Sequence, residues 1–112
     1  MDPKSLSALL YVGLGLLLVG VSIPLIQNNV RPNLFYGFRV PKTLNNPDVW
    51  YKANHYAGVQ LCRAGALTAV FAALAYLPPF VSVDTYALAV MAVVMAALGV
   101  AVTLSFVYLR GL

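Results

Sequence analysis

Arg31, Arg39 and Lys42 fall within one connecting stretch, residues 27–45, and Trp50, Lys52, Asn54 and His55 follow directly behind it. A guanidinium presents a planar fork that matches phosphate or carboxylate, so the arginines are candidates for an anion site. Arg39 has the stronger claim, because Gly37 and Pro41 bracket it in a stiff run with Phe35, Tyr36 and Phe38. Lys42 reads equally well as a charge that sets membrane topology. His55 invites two readings, a proton switch or an axial ligand to a porphyrin. A lone histidine is usually neither, and no cofactor is expected. Arg63 lies deeper in an apolar run, where it either snorkels to the interface or meets a partner such as the loop or a lipid phosphate.

Catalysis has little to work with. The chain has no glutamate, and its acids are Asp2, Asp48 and Asp84. No serine or cysteine stands beside a base in sequence, so no enzyme is expected. Cys62 is the single cysteine, which excludes an internal disulfide and a cysteine-built metal cage. The apolar runs hold no carboxylate, which argues against a proton-coupled transporter. A net charge of +4, dispersed along the chain, gives no basic run of the kind that binds nucleic acid.

The segments that must position these residues are greasy. Of 112 residues 62% are hydrophobic and 9% charged, which is a membrane composition. Leu6 to Ile26 and Thr85 to Leu109 carry no charge, and Gly58 to Leu77 carries only Arg63. Each run approaches or exceeds the ~20 residues that a bilayer core requires. Backbone groups in lipid must be satisfied within their own segment, so the runs are expected to be helices. The first is longer than a secretory signal core and lacks a small-residue cleavage site, so it is read as a retained span. The predicted architecture is an all-α membrane protein, one domain over 1–112. Its transmembrane helices cover about 4–26, 47–77 and 84–109, with an ordered polar loop at 27–45.

Asp2-Pro3 and Asn46-Pro47 each place a side-chain acceptor before a proline at the first helical position, which suits a helix start. The second start extends that helix to about 46 Å, so its first turns are expected at the interface. Pro78-Pro79 ends it. The turn formers Asn28-Asn29, Arg31-Pro32-Asn33, Gly37 and Pro41 leave 27–45 without regular structure. Trp50, Asn54, Gly58 and Cys62 recur every four residues along one side of the second helix. Either the stripe docks a partner, with Trp50 anchored among headgroups, or it packs the three-helix bundle. Gly13, Gly15 and Gly20 likewise permit close approach of another helix, from this chain or from a second copy.

Pro32-Asn33, then Gly37-x-Arg39-x-Pro41-x-Thr43, then Trp50-x-x-x-Asn54-x-x-x-Gly58 together resemble the signature of the SdpI-type membrane proteins, a family named after a bacterial immunity protein. Family members often carry arginine directly after the asparagine, where His55 stands here. The resemblance implies a bacterial or archaeal cell-membrane protein that protects against, or senses, a secreted peptide toxin. It marks Asn33, Gly37, Arg39, Pro41, Thr43, Trp50, Asn54 and Gly58 as signature or partner-binding positions, with His55 and Arg63 secondary. The competing expectation is a small accessory subunit of a larger membrane complex.

Five basic residues, Arg31, Arg39, Lys42, Lys52 and Arg110, fall on the loop side, against Lys4 on the other. The positive-inside rule therefore predicts a cytoplasmic loop and C-terminus and an external N-terminus. The bilayer is the expected partner, with a peptide toxin, another membrane subunit or a second copy as protein partners.

Overall fold

The computed structural model describes residues 1–112 and is all-α. Helix α1 is Pro3–Ile26, α2 is Pro41–Leu44, α3 is Pro47–Tyr76 and α4 is Val83–Arg110. Three of them, α1, α3 and α4, are long and apolar enough to cross a membrane. The body measures 51 × 23 × 18 Å, so its long axis is more than sufficient for a bilayer core of ~30 Å.

Local chemistry starts each long helix. Asp2 accepts a hydrogen bond from Ser5 N at 2.8 Å, and Asn46 accepts from Asp48 N at 3.0 Å. Ser82 Oγ accepts from Thr85 N at 3.2 Å, which opens α4 one residue ahead of the expected boundary. These side chains satisfy amides that have no partner inside the helix. Helix α3 ends at Tyr76, where Pro78 and Pro79 cannot extend it.

The stretch 27–45 departs from the sequence expectation, because it contains one regular turn, α2. Pro41 presets the helical φ at its first position, and Val40 N donates to Thr43 Oγ1 at 3.0 Å. Four residues are too few for any periodicity to announce.

Helix α3 is the central element. Helix α1 packs along it through a line of small residues. A Cβ built on Gly65 would stand 2.6 Å from Gly15 O, and one on Gly15 would stand 2.6 Å from Gly65 O. The two backbones are therefore in direct contact, as small residues permit within lipid. Gly58 continues the line, since a Cβ there would meet Leu25 and Ile26 of α1 at 3.0 Å. The glycines thus serve packing within the chain, whereas Gly13 and Gly20 face open space.

Helices α1 and α4 meet chiefly around Tyr86 and Val90, which pack with Ala72 of α3 and with Tyr11 and Val12 of α1. That end is closed by Lys4 Nζ donating to Pro78 O at 2.8 Å and by a 2.5 Å hydrogen bond between Ser5 Oγ and Tyr76 OH. At the opposite end the connecting loop touches both helices, Tyr36 bonding to α1 and Phe38 packing on α4. The outer faces carry Leu9, Leu10, Leu88 and Met95, all more than half exposed. Lipid solvates such a surface, whereas water would drive it to associate. The chain is a multi-pass membrane protein.

Candidate functional site

The loop leaves α1 through a reversal built on Asn28, the one non-glycine residue at positive φ (59°). Asn28 N donates to Leu25 O and Asn29 N to Pro24 O, the bonds that close a helix whose next residue turns left-handed. His55 Nδ1 donates to Ile26 O at 2.6 Å, taking up a carbonyl of the last turn of α1. Its position beside the α1 terminus accounts for the histidine as a helix tie.

Asn33 then folds the loop around its own amide. Its Oδ1 accepts from Phe35 N at 2.8 Å and Tyr36 N at 2.6 Å, and its Nδ2 donates to Arg31 O at 2.7 Å and Tyr36 O at 3.0 Å. Asparagine suits the role because one short side chain carries both an acceptor and two donors. The turn aims Tyr36 back at α1, where its hydroxyl donates to Val21 O. Gly37 follows at φ 113°, lying flat against the Trp50 ring.

Trp50 and Asn54 receive this segment. Trp50 is completely buried, and Nε1 donates to Val30 O at 2.8 Å, so the ring staples the loop to α3 and does not reach the headgroups. Of the two readings open from sequence, anchoring among headgroups or packing within the bundle, this burial favours packing within the chain. The local pattern of a tryptophan near a helix start is right for an interfacial belt, but the loop folds back over it. Asn54, also buried, accepts from Phe38 N at 2.6 Å and donates to Trp50 O at 3.0 Å. Thr43, fully buried, sits 2.8 Å from Phe38 O and 2.9 Å from Val40 O as a hydroxyl donor. Replacing it with valine keeps the shape and removes the hydroxyl, leaving Val40 N without its acceptor. The expected cost is about 1–2 kcal/mol, read as a lower SDS midpoint of the Trp50 fluorescence transition. Thr43→Ser should recover most of it; equal midpoints for the two variants would show that the hydroxyl does nothing.

The far side of the loop rests on α4. The Phe38 ring meets Phe106 edge-on with centroids 4.9 Å apart, and Tyr56 stacks on Tyr108 at 4.2 Å. Lys42 Nζ donates to Leu109 O at 2.8 Å, capping the α4 C-terminus, where a cation is favoured by the helix dipole. A lysine that sequence reads as plain topological charge is therefore a tertiary tie. Arg39 is exposed and donates to Leu34 O across the turn, which leaves most of its guanidinium donors directed at solvent. Pro41 opens α2 beneath it.

Signature residues thus converge, but mainly on one another. Asn33, Gly37, Thr43, Trp50, Asn54 and Gly58 all spend their polar groups or their smallness inside the chain, while Arg39 stands at the rim. Arg63 is separate, about one and a half turns beyond Gly58 along α3. What this scaffold holds in place is a roof formed by Tyr36, Gly37 and Phe38 over an apolar cavity of about 310 Å³. Its walls include Leu25 of α1, Ala57 and Leu61 of α3, and Val102 and Phe106 of α4. The two hydroxyls that border it are already committed: Tyr36 donates to Val21 O, and Ser105 Oγ donates to Ala101 O at 2.7 Å. An alkyl or aromatic group would find no unmet hydrogen-bonding partner there. Phe106 and Val102 are invisible to motif reading because they lie in a largely apolar run, and Ala57 because a methyl group between Asn54 and Gly58 carries no chemical signal. Only their proximity to Tyr36 and Phe38 singles them out.

The model of the SdpI/YfhL protein family matches residues 29–109. The chain belongs to the SdpI/YfhL family. The matched part holds all but the first two residues of the loop, with α2, α3 and nearly all of α4, and hence every pocket residue except Val21 and Leu25. In this chain Asn33, Gly37, Thr43, Trp50 and Asn54 fold the loop that covers the cavity. Neither a curated protein nor a solved structure matches the chain.

Proposed function

We propose that this SdpI-family protein acts without catalysis, protecting its membrane against a secreted peptide toxin or sensing it, by seating an apolar residue of the peptide beneath the loop. The observation that carries this reading is the roofed cavity itself. Buried polar side chains hold Tyr36–Phe38 over an apolar space, and Arg39 stands at the edge with unused donors. A slot for an apolar side chain beside a cation suits an amphipathic peptide that carries a carboxylate. Burial of one large side chain contributes roughly 1.5–3 kcal/mol, and the rim guanidinium adds direction.

The positive-inside rule, applied to the basic residues of the loop and C-terminus, supports a cytoplasmic position for this end. The peptide would then be captured from the inner half of the bilayer, at the cavity bordered by α1, α4 and the loop. The test is to challenge cells with candidate secreted peptides, with and without this chain. Ala57→Trp fills the cavity and Arg39→Ala removes the rim charge. Both are expected to lose protection at unchanged membrane abundance. Full protection by the filled variant would defeat the reading, and stoichiometric subunits co-purifying in mild detergent would replace it with the accessory-subunit role.

A further inference from the structure

A second cleft lies along the seam between α3 and α4, with a volume of about 510 Å³. Eight of its ten lining residues are hydrophobic, and the two polar ones, Gln60 and Arg63, are neighbours on α3. Tyr56 marks the loop-side interface and Tyr76 the opposite one, as tyrosines do at membrane surfaces. At ~1.5 Å per residue, Arg63 lies about 10 Å inside the former and about 20 Å from the latter. Side chains lean toward the N-terminus of their helix, which for α3 is the loop end, so the guanidinium rises to the level of Gln60.

No carboxylate of the chain neutralises it. Asp2 and Asp84 lie at the far end, and Asp48 is paired with Lys52 at 3.9 Å. Gln60 is only 7% exposed and lines the cleft one turn from Arg63. A fixed charge and a polar amide thus line one cleft, in a region where an unmet charge is costly. The cleft is also graded. Gln60, Arg63 and Leu104 occupy its loop-side part, and Leu67 and Val93 the part nearer the bilayer centre.

We propose that this cleft binds an anionic phospholipid of the loop-side leaflet. Its phosphate lies on the Arg63 guanidinium within reach of the Gln60 amide, and an acyl chain runs down the α3–α4 seam past Leu67. The occupant is a lipid because the polar end of the cleft lies at the depth a headgroup can reach and the apolar part continues inward from it. Charge complementarity selects an anionic headgroup over a zwitterionic one.

The full-length protein is tested in nanodiscs containing equal amounts of phosphatidylglycerol and phosphatidylcholine, with retained lipid counted by native mass spectrometry after release. Wild type is expected to keep one phosphatidylglycerol in preference to phosphatidylcholine by about tenfold, the scale of one charge-assisted hydrogen bond. Arg63→Gln should abolish that preference, and Arg63→Lys should keep most of it. Val100→Phe, at an exposed cleft position, should weaken retention of the lipid while Arg63 is intact. Unchanged Trp50 fluorescence in the position-63 variants would show that the fold persists. Equal retention of the two lipids by wild type, or an undiminished preference in Arg63→Gln, would overturn the proposal. So would displacement of the lipid by inorganic phosphate, which would make the site one for the free anion, or an Arg63-dependent protein found in its place.

Discussion

Replacing Gly65 with leucine should detach α1 from α3 while leaving all three spans inserted. The Cβ alone would stand 2.6 Å from Gly15 O and 2.9 Å from Val19 N, and both of those atoms are backbone. A flexible side chain could swing aside, but a helix backbone yields only by moving the whole helix. Overpacking a core whose side chains can adjust costs about 1–3 kcal/mol, so a clash against backbone is expected to cost about 3 kcal/mol or more. Lipid solvates each helix alone, which is why insertion survives the loss of packing. The measurement is the SDS fraction at which Trp50 fluorescence changes, with Gly13→Leu as the control. No atom lies within 4 Å of a Cβ at Gly13, so that variant is expected to match wild type. Equal midpoints for the two leucine variants would show that the close crossing does not hold the bundle together.

Gly37→Ala should release the roof of the cavity. Two costs add at this position. A φ of 113° is a conformation that L side chains rarely adopt, worth about 1–3 kcal/mol of strain. A new Cβ would also fall 2.7 Å from Asn54 Oδ1 and 3.2 Å from the Trp50 ring. Asn54 would have to withdraw from Phe38 N, and an amide left without its acceptor costs about 1–3 kcal/mol. The two costs sum to about 2–6 kcal/mol, a large share of the stability of a small domain. Amide exchange at Phe38 should accelerate by about tenfold or more, Trp50 emission should shift to the red, and toxin protection should fail with it. Protection intact alongside fast exchange would separate the roof from the function; slow exchange would mean the loop tolerates the strain.

Expectations from sequence succeeded where the physics is local. A bilayer obliges each span to satisfy its own backbone, so length and apolarity identify a helix without knowledge of its neighbours. Caps are local for the same reason, as at Asp2 and Asn46, each of which bonds an amide within three residues. Helix α2 escaped because four residues generate no pattern, although Pro41 followed by Thr43 was the available signal. The four-residue stripe from Trp50 correctly marked one side of α3, but composition alone left open what it faced. Gly58 meets the end of α1, while Trp50 and Asn54 meet the loop.

The amino-acid sequence by itself determined that this chain lives in lipid as three helices joined by a charged, aromatic loop, because hydrocarbon tests every segment one at a time. Tertiary structure alone decided that Trp50 and Asn54 point inward, that Lys42 caps a helix 67 residues away in the chain, and that Tyr36 and Phe38 cover a cavity. Those outcomes depend on which backbones approach closely enough to exclude side chains. The contact of Gly15 with Gly65 is set jointly by residues far apart in sequence, and neither one announces it alone.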